Sequence, residues 1–124
     1  MPFDESLAAR IRTALTRKKG IESKKMFGGI GFLLNGNMCV GVWKEFLIVR
    51  LGPDQGLNAL LEPYVKEMDI TGRPMKGYIY VSPFGTKRAK QLRAWLTRGL
   101  DFVARLRSDQ RHKMRREVRR KVGP

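Results

Sequence analysis

Two side chains that often carry chemistry occur once each in this sequence, as Cys39 and His112. A cysteine beside a histidine can be an activated nucleophile, and both side chains can bind zinc. A zinc site needs three or four ligands, however, so this inventory predicts no metal site. Cys39 stands between Met38 and Val40 in an apolar run, which favours a buried structural thiol over a catalytic one.

The acidic residues give no catalytic arrangement either. Glu62, Glu67 and Asp69 are close together in the chain, but nothing pairs them for general acid–base work, and we interpret them as solvated surface groups. The glycine-rich run from Gly28 to Gly31 does not lead into a helix N-terminus, where phosphate groups usually bind. We interpret that run as a structural bulge. The sequence therefore predicts a protein with neither enzymatic activity nor a cofactor.

Net charge is the strongest functional signal in the sequence. The 124 residues include 26 Lys and Arg against 11 Asp and Glu, which gives a formal net charge of +15. Residues 105–124 hold nine of the basic residues and two of the acidic ones. This distribution indicates an anionic partner, and we expect nucleic acid or an acidic protein. The apolar stripe of the tail has no aromatic residue, so we expect no membrane partner.

The basic residues that could bind nucleic acid fall into two groups. The first comes from predicted strands and strand ends near Tyr78 and Tyr80, whose rings could stack on the bases of a single strand. The same face could instead be an ordinary half-exposed sheet surface or a dimer interface. The second group lies in the tail, which could be a nucleic-acid arm or a solvated extension. The candidates are Lys24, Lys25, Arg50, Arg73, Lys76, Arg111, Lys113, Arg115, Arg116, Arg119, Arg120 and Lys121.

The spacing of apolar residues predicts three amphipathic helices. The first covers residues 5–18 and is capped by Asp4, whose side chain can accept from the first free N–H groups. The second begins with Pro53 at its first position, and the third is capped by Thr86. The leucines that the second helix is expected to bury are Leu57, Leu60 and Leu61.

Five strands are predicted between the helices. The glycine-interrupted run Met26–Leu34 is the first, and Asn35-Gly36 predicts a type I′ hairpin turn after it. The third strand, Phe46–Leu51, is apolar on both faces. A sheet face that the helices leave open therefore needs cover, which a homodimer would provide. The other strands are predicted at Met38–Trp43, Lys66–Ile70 and Lys76–Ser82.

The predicted element order is α-β-β-β-α-β-β-α. Hairpin-linked strands form an antiparallel sheet, and each helix must bury one apolar stripe against it. The sequence thus predicts an α+β fold, a two-layer sandwich with the helices packed on one face of the sheet. Residues 1–106 hold the predicted core, and residues 107–124 form a basic tail that is helical or disordered. Met1–Glu5 has no signal-peptide character and one cysteine suits a reducing compartment, so we expect a cytoplasmic protein.

Three segments form a recognisable pattern along the chain. They are Met26-Phe27-Gly28-Gly29-Ile30-Gly31-Phe32, Asn35-Gly36-Asn37-Met38 and Gly72-Arg73-Pro74-Met75-Lys76-Gly77-Tyr78. The pattern resembles the N-terminal domain of the TfoX/Sxy family of bacterial proteins, and the resemblance extends from about Phe3 to Leu106. The motif residues, which we expect to be structural, are Met26, Phe27, Gly28, Gly29, Gly31, Gly36, Met38, Gly72, Arg73, Pro74, Met75 and Gly77.

The resemblance implies a two-layer fold with an antiparallel sheet, topologically like the type III secretion chaperones. It also implies regulation, because the family's namesakes act with the cyclic AMP receptor protein to switch on DNA-uptake genes in natural competence. A C-terminal domain follows in those proteins, whereas about 18 residues of basic tail follow here. We therefore expect a non-enzymatic regulatory module that associates with nucleic acid. The alternative is a protein–protein adaptor that acts through an exposed sheet face or as a homodimer.

Overall fold

An antiparallel sheet of six strands forms one layer of the structure. This computed structural model describes residues 3–69, 72 and 75–106, together with the backbone of residues 107–122. The strands are β1 (Ile21–Met26), β2 (Gly29–Leu34), β3 (Asn37–Trp43), β4 (Phe46–Arg50), β5 (Val65–Glu67) and β6 (Tyr78–Val81). Their spatial order is β1-β2-β3-β4-β6-β5, and every neighbouring pair is antiparallel.

The helices form the second layer, on one face of the sheet. They are α1 (Glu5–Leu15), α2 (Pro53–Ala59) and α3 (Ala89–Val122), and a short 3₁₀ turn at Pro83–Gly85 precedes α3. All three helices contribute to one apolar core with the same sheet face. The predicted α+β sandwich is therefore confirmed, with one strand more than expected. Among the described residues, no helix is both long enough and apolar enough to cross a bilayer.

Local hydrogen bonds set where the helices begin. Asp4 caps α1 as predicted, because its Oδ1 accepts a hydrogen bond from the N–H of Leu7 at 3.1 Å. The third helix begins three residues after the predicted cap, Thr86, which is buried at the end of the 3₁₀ turn. Gln91 takes over the capping role there, since its Oε1 accepts from the N–H of Arg88 at 2.9 Å.

The second helix turns a different face inward from the one predicted. Leu57 of α2 is 69% exposed and Leu61, just past its end, is 89% exposed, whereas Gly56 and Ala59 are buried. Of the three predicted leucines, only Leu60 packs against the core, where it is half-buried. The reason is a close backbone contact, because a Cβ added to Gly56 would lie 3.3 Å from the Cα of Gly77. The small residues of α2 therefore face the sheet, and the prediction of buried leucines at 57 and 61 is wrong.

Two-residue turns connect the first three strands. Phe27 and Gly28, with φ of 51° and 78°, join β1 to β2, so the predicted bulge is wrong and one predicted strand is in fact two. Glycine adopts the left-handed conformation at no steric cost, which makes a type I′ turn accessible at this point. Asn35 and Gly36, with φ of 50° and 86°, join β2 to β3, and the hairpin predicted there is confirmed.

The main core lies between the helices and the sheet. The third helix buries Leu92, Leu96 and Val103 in this core, and Leu100 packs against it half-buried. Within this helix, a Cβ added to Gly99 would lie 2.7 Å from the main-chain oxygen of Cys39, so α3 packs closely against β3. The largest side chains that are fully buried in this core include Phe32, Ile11, Leu47, Leu51 and Ile79.

Candidate functional site

The sheet face opposite the helices carries a second apolar cluster, which includes the buried residues Ile48, Met68 and Tyr80. A pocket of about 360 Å³ opens in this cluster, above β2 and β3. We call it the methionine pocket, because four of its lining residues are methionines. Its walls are formed by Met26, Met38, Trp43, Met68, Met75 and Tyr78.

The methionine pocket is the point where distant motif segments meet. Met26 ends β1 at the first motif, whereas Met75 belongs to the last one. The main-chain N–H of Met75 donates to the oxygen of Met68 at 2.8 Å, which holds these two methionines together over the sheet. Arg73 and Pro74 of the same motif lie outside the described residues. The chain itself therefore covers part of the sheet face that a homodimer was expected to cover.

Glycines leave the space that the methionines fill. Gly31 of β2 pairs with Gly41 of β3, and both lie on the pocket side of the sheet. A Cβ added to Gly31 would lie 2.9 Å from Cε of Met26, and one added to Gly41 would lie 2.9 Å from Cε of Met38. Gly31 of the first motif is therefore constrained by close packing against Met26 rather than by a bulge.

An aromatic stack borders the methionine pocket. The ring of Tyr80 stacks on Trp43 and Phe46, with ring centroids 5.5 and 5.2 Å apart. Two lysines cover the outer rings, since Nζ of Lys44 lies 4.5 Å from the Trp43 centroid and Nζ of Lys66 lies 4.2 Å from that of Phe46. Tyr80 is 2% exposed, so its ring cannot stack on a nucleic-acid base as predicted.

Two of the described groups have shifted pKa values, and both are buried and neutral at pH 7. Burial raises the pKa of the Cys39 thiol to about 11, and its Sγ donates to the main-chain oxygen of Phe32 at 3.2 Å. Burial, with the nearby negative charge of Asp69, raises the pKa of Tyr80 to about 12. The prediction that Cys39 is a buried thiol is confirmed. Neither group is activated as a nucleophile, because activation requires a lowered pKa.

Alkaline pH should destabilise the fold through Cys39. The unfolded thiol ionises near 9.0 and the folded thiol near 11, so the unfolded state loses its proton first. The free energy of unfolding should therefore fall by about 2 kcal/mol between about pH 8 and about pH 10.5. Urea denaturation at the two pH values tests this. Cys39→Ala should flatten the pH dependence by about that amount, whereas an unchanged dependence would contradict the assignment.

The predicted nucleic-acid residues of the strands do not converge on one face. Lys24 and Lys25 are consecutive in β1, so they point to opposite faces of the sheet, and Lys76 lies outside the strands. Arg50 is held by internal contacts. Its guanidinium lies 5.6 Å from the Tyr78 ring centroid, and Nη1 donates to the oxygen of Met38 at 3.4 Å. The side chains of the tail candidates, and Arg73, lie outside the described residues.

A basic surface on the helix layer was missed by the sequence reasoning. Arg10 links α1 to the turn that precedes α3, because its Nη2 donates a hydrogen bond to the main-chain oxygen of Thr86 at 2.7 Å. Small residues and Arg93 line an open groove beside it, between α1 and α3. This surface could have been predicted from the sequence, because basic residues recur at helical spacing on the faces of α1 and α3 that were expected to be exposed. The exposed cations of α1, α3 and the turns beside them are Arg12, Arg17, Lys18, Lys19, Lys87, Arg88, Lys90, Arg93 and Arg105.

Comparison with known families agrees with this architecture. The model of the TfoX N-terminal domain matches residues 13–103, which include the first and last motif segments. The chain belongs to the TfoX N-terminal domain family. No curated protein and no solved structure gives a significant match. The TfoX match ends in α3, before most of the basic tail.

The described part of this TfoX N-terminal domain holds no cluster of acidic, histidine or cysteine side chains that could bind a metal ion. Its sites are therefore of two kinds, an apolar pocket on one face of the sheet and a positively charged helix layer on the other. Both suit binding, by apolar burial in the first case and by charge in the second.

Proposed function

We propose that this member of the TfoX N-terminal domain family is a non-enzymatic regulatory module that associates with nucleic acid. The observation that carries the proposal is that the exposed cations of the helix layer are not paired with described acidic side chains. The described side chains form one ion pair, in which Arg98 binds Glu62 with N···O distances of 3.1 and 3.0 Å. No carboxylate among the described side chains lies within ion-pair distance of the exposed cations of the helix layer, which favours an anionic partner.

The third helix links this surface to the tail. Its first part is fixed on the sheet by Leu92, Leu96 and Val103, and its backbone continues as helix to Val122. Residues 107–122 hold eight basic and two acidic residues, spread over roughly 24 Å of helix. A row of phosphates is the anion that best matches this length and charge, since nucleic acid presents charges at regular short intervals.

Binding should depend strongly on salt and weakly on sequence. The basic residues are numerous and scattered, and each phosphate that they neutralise contributes about −0.9 to the slope of log affinity against log salt. A fluorescence-anisotropy titration of a duplex oligonucleotide, repeated over a series of salt concentrations, measures that slope. An affinity that stays constant over the series would contradict the proposal.

Two triple variants of the full chain test which basic residues bind the nucleic acid, those at the end of α3 or those of the strand group. Arg116→Gln, Arg119→Gln and Arg120→Gln together should reduce the slope by up to about 2.7 and weaken binding about tenfold or more. Lys24→Gln, Lys25→Gln and Lys76→Gln remove the same charge from the strand group. This matched control should change binding much less, because those lysines do not share a face. Equal losses in the two variants would overturn the assignment to α3.

The alternative function, a protein–protein adaptor, is supported by an exposed pair of aromatic residues. Phe84 is 70% and Tyr64 53% exposed, and their rings lie side by side with centroids 6.1 Å apart. Exposed aromatic pairs of this kind are typical of protein interfaces. A pull-down from native lysate, with and without nuclease, separates the two functions. A partner that is lost on nuclease treatment supports nucleic acid, whereas a defined protein that persists supports the adaptor.

A further inference from the structure

The methionine pocket has the size of a small-molecule site, and the proposed function does not use it. Its volume is about 360 Å³. An apolar cavity of about 150 Å³ already accepts benzene, and ligand sites start at roughly 300 Å³. The pocket therefore has room for a molecule larger than one aromatic ring.

Part of the floor of the methionine pocket is main chain. Ile30 and Val42 touch the pocket, but their side chains belong to the core on the helix side of the sheet. Gly29 also lines it and has no side chain. The surface beneath a bound molecule is thus formed in part by the side chain of Ile48 and in part by peptide groups of β2 and β3, which are flat compared with packed side chains. A flat floor favours a flat ligand.

The walls combine one fixed ring with adaptable side chains. Trp43 is held in place by its stacking on Tyr80, with the two rings 8° from parallel. Met26, Met38 and Met75 are unbranched, and their sulfur atoms make favourable contacts with aromatic rings. Such side chains adjust to the outline of a ring system, while Trp43, which is covered by Tyr80 and Lys44, offers a fixed edge for an edge-to-face contact.

The charge of the lining excludes ionic ligands. None of the described residues that line the pocket carries a charge, so an ion would lose its hydration without gaining a partner among them. This property separates the methionine pocket from the basic helix layer on the other face. Nucleotides and other phosphate compounds are therefore unsuitable for it.

We infer that the methionine pocket binds an uncharged, planar aromatic molecule of about two fused rings. The molecule lies on the floor of the pocket, contacts the edge of the Trp43 ring and is covered by Met68 and Met75, which a main-chain hydrogen bond holds together. This binding is independent of nucleic acid, because it uses the opposite face of the sheet.

The test uses 2-naphthol as the probe and isothermal titration calorimetry of the full chain as the measurement. Saturable binding of one 2-naphthol per chain is expected. The charged analogue 2-naphthalenesulfonate should bind about tenfold more weakly or not at all, although the protein as a whole is strongly basic. The flexible chain of 1-octanol should also bind more weakly than the fused rings. Absence of 2-naphthol binding, or tighter binding of either comparator, would overturn the inference whether or not nucleic acid binds.

Two variants place the binding in the pocket. Gly31→Val pushes the flexible end of Met26 into the cavity and should weaken 2-naphthol binding about tenfold. Ser23→Val adds the same side chain at an exposed position of β1 and should leave binding unchanged. Met75→Glu, which puts a carboxylate into the wall, should abolish binding even if Gly31→Val does not fold. Unchanged affinity in folded Gly31→Val and in Met75→Glu would show that the probe binds elsewhere.

Discussion

Replacing Gly29 by valine should lower the free energy of unfolding by about 3 kcal/mol or more. Any Cβ at this position would collide with the main-chain oxygen of Val42 on the neighbouring strand β3, and it would lie 3.4 Å from the Cα of Trp43. A main-chain atom in a paired strand cannot move aside without breaking the pairing of β2 with β3. Urea denaturation of the purified variant measures the loss.

Substitutions at Gly28 separate the steric effect at Gly29 from the effect of backbone strain. Gly28 has φ of 78° and open space around its Cα, so Gly28→Val should lose only about 1–3 kcal/mol, through left-handed strain. Gly28→Asn should lose less, because asparagine tolerates this conformation. Gly36→Asn is a matched control at another open turn position. If Gly29→Val were as stable as Gly28→Asn, the close contact between β2 and β3 would be refuted.

Replacing Gly99 by leucine should cost about 3 kcal/mol, although leucine is the better helix former. Two opposing effects act at this position. Helix propensity would favour the substitution by about 1 kcal/mol. A Cβ there would lie 2.7 Å from the main-chain oxygen of Cys39 and 3.0 Å from Cγ1 of Val40, so α3 would have to move away from β3. The steric effect is the larger, because the first contact is with main chain.

Ala94→Leu is the control for Gly99→Leu. Ala94 is an exposed residue of the same helix, so leucine there should change the stability by no more than about 0.5 kcal/mol. Thermal unfolding followed by circular dichroism measures both variants. A Gly99→Leu variant as stable as Ala94→Leu would mean that α3 has room to move on the sheet.

Features that depend on a few neighbouring residues could be predicted from the sequence. The cap at Asp4 and the turn at Asn35-Gly36 need only local chemistry, and both are confirmed. The turn at Phe27-Gly28 is equally local, but it was missed. An aromatic residue rarely has positive φ, so the apolar run around Phe27 resembled one continuous strand.

Features that depend on distant parts of the chain could not be predicted. Helical spacing identified the apolar residues of α2, but the contact of Gly56 with Gly77 decides which of them face the sheet. The methionine pocket likewise depends on strand register and on the position of Met75 over the sheet. Alternation along β1 would have been enough to show that Lys24 and Lys25 point apart, because side chains alternate between faces in any strand.

The glycines beneath Met26 and Met38 have a consequence for how the protein is mutated. At most positions, alanine scanning removes atoms and reveals the contribution of a side chain. At Gly31 and Gly41 it adds atoms, since a single methyl group would press on the methionines above. A scan that skips glycines would find only the walls of the methionine pocket. A scan towards larger residues would reveal these two positions, because a methionine fills the space above each glycine.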